Sequence, residues 1–262
     1  MLFSHIRYNS AMKKSPPDSQ QRDRLYADSQ QAPDDFVFDE AVAQVFDDMI
    51  RRSVPGYAQV VAMTGLLAGH FAKADSVAYD LGCSSGAVSR AMRQFVQQPG
   101  FRIIAVDKSE AMLAHCHDLV QPGTSADRPP VELICADIRD ITIHNASLVC
   151  LNFTLQFIPL AQREELIQRI FSGLNPGGAL VLSEKIAFDN AGQQELISQL
   201  HLDYKRAHGY SALEISHKRS ALENVLLAET LSTHRQRLQQ AGFSLITVWH
   251  QSLNFASLLA VK

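Results

Sequence analysis

The sequence predicts an α/β fold: a doubly wound, mostly parallel sheet with an antiparallel pair of strands at its C-terminal edge and a helical insertion. Three observations predict it. Between residues 77 and 184 short apolar runs alternate with helix-compatible segments, the order that makes right-handed βαβ units covered on both faces. From 189 to 241 no strand signal is found and the segment reads as several helices. Two β-rich runs, 243–250 and 253–261, then close the chain across a short connection. The 262 residues, 46% hydrophobic and 19% charged, suit one large globular domain, assigned here to 36–262.

Residues 1–35 are polar, mixed in charge and interrupted by Pro16, Pro17 and Pro33, so they read as a mobile tail. From Phe36 the pattern changes. Phe38, Val42, Val45, Phe46, Met49 and Ile50 recur at helical steps, with Asp39 placed to cap the first turn. Pro55 and Gly56 then turn the chain, leaving Tyr57 at the head of a second apolar stretch, Val60 to Leu67. Strands follow at 77–82, 101–107, 131–137, 147–153 and 178–184, with helices at 87–97, near 109–120 and near 161–173. Within the insertion, Ser211 and Glu214 have capping-box spacing.

Composition narrows the function. A formal charge of -3 gives no global basic field, so direct nucleic-acid binding is not expected. Cys83, Cys116, Cys135 and Cys150 form no C-x-x-C pair, and no His pair has ligand spacing, so neither a disulfide framework nor a metal is expected. No apolar run is long enough for a membrane helix and no h-region opens the chain, so a cytoplasmic location is expected.

The first strand runs into Asp80-Leu-Gly82-Cys-Ser84-Ser-Gly86, where glycines permit a tight turn and close approach of a ligand to backbone N–H groups. A dinucleotide fingerprint would need glycine at Ser84 and Ala87, which disfavours NAD and FAD. The loop resembles instead the D-x-G-x-G-x-G turn of class I S-adenosylmethionine-dependent methyltransferases, with Ser84 at the middle glycine. Asp107 ends the second strand 25 residues after Gly82, where a carboxylate can accept both ribose hydroxyls or, alternatively, cap the next helix. Asp137 and Ile138 end the third strand, where they could bracket a purine edge, and Asn152 ends the fourth. Open α/β sheets bind ligands where such strand ends meet. Cys83 invites a nucleophile reading, but no neighbouring His is implied and a small residue suits the turn. Lys205, Arg206, His208, Lys218 and Arg219 fall within 15 residues of the insertion, as a solvated face with an Arg219–Glu223 helical pair or as an anion-binding patch over the cofactor.

From Phe36 onward the chain resembles the carboxy-S-adenosyl-L-methionine synthases. The resemblance is carried by F-D-E-A-V-A-Q-V-F-D-D-M-I-R-R-S-V-P-G-Y, D-L-G-C-S-S-G, D-I-R-D-I, N-A-S-L-V-C-L-N-F-T-L-Q-F, G-L-N-P-G-G-A-L-V-L-S-E-K and G-Y-S-A-L-E-I-S-H-K-R-S-A-L-E-N-V-L. It implies conversion of S-adenosylmethionine and prephenate into carboxy-S-adenosylmethionine and phenylpyruvate. It also implies a homodimer, and a product used by a tRNA-modifying enzyme that carboxymethylates wobble uridine to 5-oxyacetyluridine. By resemblance Tyr57, Gly82, Cys83, Ser84, Asp107, Lys108, Asp137, Ile138 and Asn152 hold the adenosylmethionine moiety and Arg219 holds the carboxyl group. In that chemistry prephenate loses carbon dioxide while its ring hydroxyl takes a methyl proton, so no protein base is obligatory. Two other readings stay open: a methyltransferase acting on a small carboxylic acid, and a non-catalytic adenosylmethionine-binding partner protein.

Overall fold

The computed structural model describes residues 22–27, 36–117 and 128–262. Two helices lead the fold, α1 (Glu40–Ser53) and α2 (Tyr57–Phe71). Asp39 caps α1 by accepting the Val42 N–H at 2.9 Å, which satisfies one of the donors that a helix start leaves open. The alternating region gives β1 (Val77–Leu81), α3 (Ala87–Phe95), β2 (Arg102–Asp107), α4 (Glu110–Ala114), β3 (Val131–Cys135) and β4 (Ala146–Asn152). It continues through α5 (Arg163–Gly173) to β5 (Leu174–Ala187). After α6 (Ala191–Ala207) and α7 (Ala212–Leu222) come β6 (Glu229–Thr230), α8 (Leu231–Ala241), β7 (Leu245–Ser252) and β8 (Phe255–Val261).

The strand order is β3-β2-β1-β4-β5-β8-β7, with β6 paired to β5 off this path. The β1–β6 pairings are parallel. β8 runs antiparallel to β5, and β7 antiparallel to β8, so β7 is the edge strand of the expected pair. Side chains alternate across the sheet, as a pleated strand requires. Tyr79, Leu81, Val149, Leu151, Leu180 and Leu182 enter one core, while Ala78, Ile103, Ala105, Leu148, Cys150 and Val181 enter another with Val88, Met92 and Phe101.

The insertion is shorter than its expected span of 189–241, which is read as strandless. β6 interrupts it, held by Arg163, whose buried guanidinium pairs with Glu229 at 2.5 Å and donates to the Leu227 carbonyl at 2.9 Å. α8 then returns to the core, burying Leu238 and Ala241, so only α6 and α7 stand apart as additions. Within them Ser211 and Glu214 form the expected reciprocal cap. The helix expected near 109–120 is seen as Glu110–Ala114, and 118–127 lie outside the described residues.

The segment read as a mobile tail also needs correcting where it is described. Asp23 is buried; it accepts the Tyr210 hydroxyl at 2.5 Å and pairs with Lys218 at 3.6 Å. A charged residue in an otherwise polar run carries no periodic signal of such docking. Residues 1–21 and 28–35 lie outside the described residues.

Candidate functional site

A cavity of about 430 Å³ opens at the C-terminal ends of the parallel strands. Tyr57, Gly82, Cys83, Ser84, Asp107, Lys108, Asp137, Ile138 and Asn152 all line it, so nine of the ten expected site residues meet in one place.

The β1–α3 turn is tied down by backbone hydrogen bonds. Gly82 and Cys83 N–H groups both donate to the Val106 carbonyl, at 2.8 and 2.9 Å, which ties the turn to β2. Gly82 has φ +80°, and a Cβ there would lie 2.5 Å from Thr154 Oγ1. Only glycine satisfies both conditions. Ser84 also has positive φ, 50°, so the serine at the middle-glycine position takes a glycine-like conformation. Its N–H donates to Asp107 Oδ2 at 2.9 Å, while Ser109 N–H donates to Oδ1 at 3.0 Å. These two bonds fix the Asp107 carboxylate at the cavity wall, and burial raises its pKa against them.

Asp80 lies beneath the turn, fully buried, accepting the Ser89 hydroxyl at 2.7 Å. Burial pushes its carboxyl up to about 6, with Ser89 opposing and the Asp107 charge adding to the rise. Asp137 is fixed by its neighbour: Oδ1 accepts from Arg139 N and Nε at 2.9 and 2.8 Å, and Oδ2 from a second guanidinium nitrogen at 2.5 Å. That side-chain bonding lowers the Asp137 pKa. Asn152 Oδ1 accepts from Ser183 Oγ at 2.7 Å, and Ser183 Oγ in turn accepts from Ser257 Oγ at 2.8 Å. The relay orients the amide and leaves its buried Nδ2 without an acceptor among the described residues. A buried orphan donor in a cavity wall marks a place for a ligand acceptor.

Cys83 does not form a nucleophilic pair. A hydrogen bond with Cys116, then burial, push its thiol far above the ordinary range, the reverse of what thiolate chemistry needs. Among the described residues no group of His, Cys, Asp and Glu could hold a metal ion, and no helix is long and apolar enough to cross a membrane.

Arg219 is the exception among the expected residues. It is exposed on α7 and does not line the cavity. The Arg219–Glu223 pair is not formed among the described residues. The far wall instead carries Lys185 from the end of β5, His201 and Lys205 from α6, and Lys218 from α7. Of the basic run noted in the sequence, Lys205 and Lys218 thus face the cavity, whereas Arg206 pairs outside with Asp203 at 2.7 Å and His208 is exposed. Sequence reasoning missed Lys185, although S-E-K ends a fifth strand whose neighbours' ends had already been read as ligand contacts. It also missed the aromatic wall, where Phe38 meets Phe36 and Phe157 edge-on at 5.0 and 5.3 Å. Phe38 reads in the sequence as the first apolar position of a helix, and Phe36 only as the point where the pattern changes.

The fit to adenosylmethionine is thus chemical as well as topological: fixed carboxylates, an orphan amide donor and a turn no Cβ could enter. Comparison with known proteins agrees. Residues 78–178 match the family model of a methyltransferase domain. A carboxy-S-adenosyl-L-methionine synthase from Geobacter metallireducens is 56% identical over 240 residues, covering 92% of this chain and 98% of that protein. One from Shewanella oneidensis is 55% identical over 241 residues, with the same coverage of 92% and 98%. The chain belongs to the carboxy-S-adenosyl-L-methionine synthases. Solved structures share its fold at lower identity. An O-methyltransferase family protein from Burkholderia thailandensis superposes with a TM-score of 0.62 at 16% identity, over 86% of this chain and 60% of that one. A magnesium protoporphyrin IX methyltransferase from Synechocystis PCC 6803, solved with bound SAM, gives 0.52 at 17% identity over 91% and 88%. The family is one of enzymes, so the non-catalytic reading falls away.

Proposed function

We propose that the protein makes carboxy-S-adenosylmethionine and phenylpyruvate from S-adenosylmethionine and prephenate, in the cytoplasm, supplying a tRNA-modifying carboxymethyltransferase that acts on wobble uridine. The observation that carries the reading is the pairing, in one cavity, of a carboxylate-rich end suited to a sulfonium nucleoside with a lysine-rich end suited to an anionic co-substrate. Among the described residues the one histidine lining the cavity is His201; it is held neutral, its pKa pushed down to about 3 by burial, and its Nε2 donates to the Ser53 carbonyl at 2.8 Å.

When bound, S-adenosylmethionine supplies a sulfonium that acidifies its methyl protons. The protein's own residues position, shield and neutralise. Asp107 offers its remaining lone pairs to the ribose hydroxyls, Asn152 donates its free N–H to a ligand acceptor, and Ile138 covers an apolar face. The phenylalanine wall excludes water, so released carbon dioxide is retained for capture instead of lost to solvent. The proton leaves with the ring hydroxyl of prephenate as water, which balances the reaction without a protein base.

Arg219 retains its proposed role as partner of the product's carboxyl group, but from its exposed place on α7 it needs either movement of that helix or presentation by a second subunit. A homodimer is supported by Leu196 and Leu200, one turn apart on α6, and Leu213 on α7, all exposed. Arg219→Ala is expected to weaken carboxylated-product binding by about 2 to 5 kcal/mol while leaving S-adenosylhomocysteine binding unchanged, by calorimetry. Equal losses for both ligands would remove the role. Mass spectrometry of the small molecule that copurifies with the protein tests the function itself: a carboxylated sulfonium is expected, and S-adenosylhomocysteine accumulating with a methylated acid would point to the methyltransferase reading.

A further inference from the structure

Three ammonium groups, from Lys185, Lys205 and Lys218, line one end of the cavity, carried by β5, α6 and α7 respectively. Lys218 is compensated: its Nζ lies 3.6 Å from Asp23 Oδ2 and donates to Ser53 Oγ at 3.2 Å. Lys185 and Lys205 have no ion-pair partner among the described residues. Like charges half-buried together are costly and gain nothing for folding unless an anion joins them. The cost shows in the amines themselves. Burial and the charges of Lys218, Lys185 and Arg219 push Lys205 down to about 7, and burial with the Arg219 charge lowers Lys185. The histidine that lines the cavity with them, His201, is itself neutral, so it adds no charge of either sign.

We infer that Lys185, Lys205 and Lys218 form the anion subsite of the cavity, that it takes a small dicarboxylate, and that Lys185 and Lys205 supply the two positive charges left once Asp23 has neutralised Lys218. Charge matching favours a dianion over a monoanion, and the phenylalanines that line the same cavity favour one with an apolar ring. Only the choice of prephenate as that dianion rests on the function proposed above. The subsite also explains the docking of residues 22–27: Asp23 removes one positive charge and, through Tyr210 and Arg52, holds α7 against α1. Lys185 and Lys205 are therefore specificity-determining, while Asp23 is a positioning residue.

The test titrates prephenate into the full-length protein saturated with unreactive S-adenosylhomocysteine, and repeats it with Lys185→Met, Lys205→Met and Lys205→Arg. The methionine variants should bind prephenate at least tenfold more weakly, with S-adenosylhomocysteine affinity held within about twofold; the arginine variant should recover most of the loss. Because the lysines repel one another, Lys205→Met should also melt higher without ligand, by about 3 to 6 °C. A merely structural lysine would lower the melting temperature. If prephenate binds and the methionine variants bind it equally well, the subsite is overturned while the proposed function stands. If prephenate does not bind but benzylmalonate does, in a lysine-dependent way, the subsite holds and the choice of co-substrate fails. If the wild-type protein binds neither dianion, the subsite is overturned.

Discussion

The two ends of the cavity are built on different principles. At the acidic end, Asp80, Ser84, Asp107, Asp137 and Asn152 sit at the tips of β1 to β4 or in the turns beside them, and backbone or side-chain donors tether every carboxylate. At the basic end, the lysines come from one strand tip and two added helices, and two of the three have no anionic partner among the described residues. The carboxylates of the acidic end are tethered within the protein, with the Asn152 Nδ2 left over for a ligand, whereas the charges of the basic end are largely unpaired among the described residues. A rigid surface of tethered carboxylates suits a group bound in the same way in every turnover, whereas uncompensated charge suits a partner that arrives and leaves with its own charge.

The contrast breaks most easily at the turn. Gly82→Ala forces a Cβ against Thr154 at positive φ and is expected to cost about 2 to 5 kcal/mol in urea unfolding, with loss of adenosylmethionine binding. A variant of wild-type stability and affinity would show that the turn is adaptable, contrary to this account.

The two ends should also respond to pH with opposite signs. Asp80 titrates near 6 in the folded protein, above its ordinary value of 3.8. Its contribution to stability is fully present below 3.8 and is lost as pH rises through 6, so Asp80→Asn should remove about 3 kcal/mol of that dependence. Lys205 titrates near 7, below 10.5. Its contribution is present above 10.5 and lost as pH falls through 7, a trend that Lys205→Met should abolish. Denaturant midpoints measured from pH 4 to 10 on both variants check the signs. A smaller effect is expected at Asp107, where Asp107→Ala should weaken adenosylmethionine binding by about 1.5 to 3 kcal/mol, read by calorimetry.

The same division governs what could be read from the sequence. The acidic end was legible because βα turns place functional residues at fixed offsets from strand ends: Gly82, Asp107, Asp137 and Asn152 all meet where the strand order places them. The alternation of strands and helices, the Asp39 cap and the Ser211–Glu214 box were local signals that packing preserved. The basic end depends on how α6 and α7 cross above the sheet, which no local period encodes. Thus Lys205 and Lys218 could not be separated from Arg206 and Arg219 by inspection, although one pair lines the cavity and the other faces out. β6 was invisible because two residues cannot show alternation, and without a visible strand to separate them α8 was merged with the helices before it.

In the proposed function the two ends cooperate to move a carboxyl group from a dianionic acid to the sulfonium methyl carbon. Its most direct test is incubation of the protein with S-adenosylmethionine and prephenate labelled in the ring carboxylate, followed by mass spectrometry of the products. The label should appear in a carboxylated sulfonium nucleoside, with unlabelled phenylpyruvate formed in equal amount. Label released as free carbon dioxide, or S-adenosylhomocysteine formed in place of the carboxylated product, would contradict it.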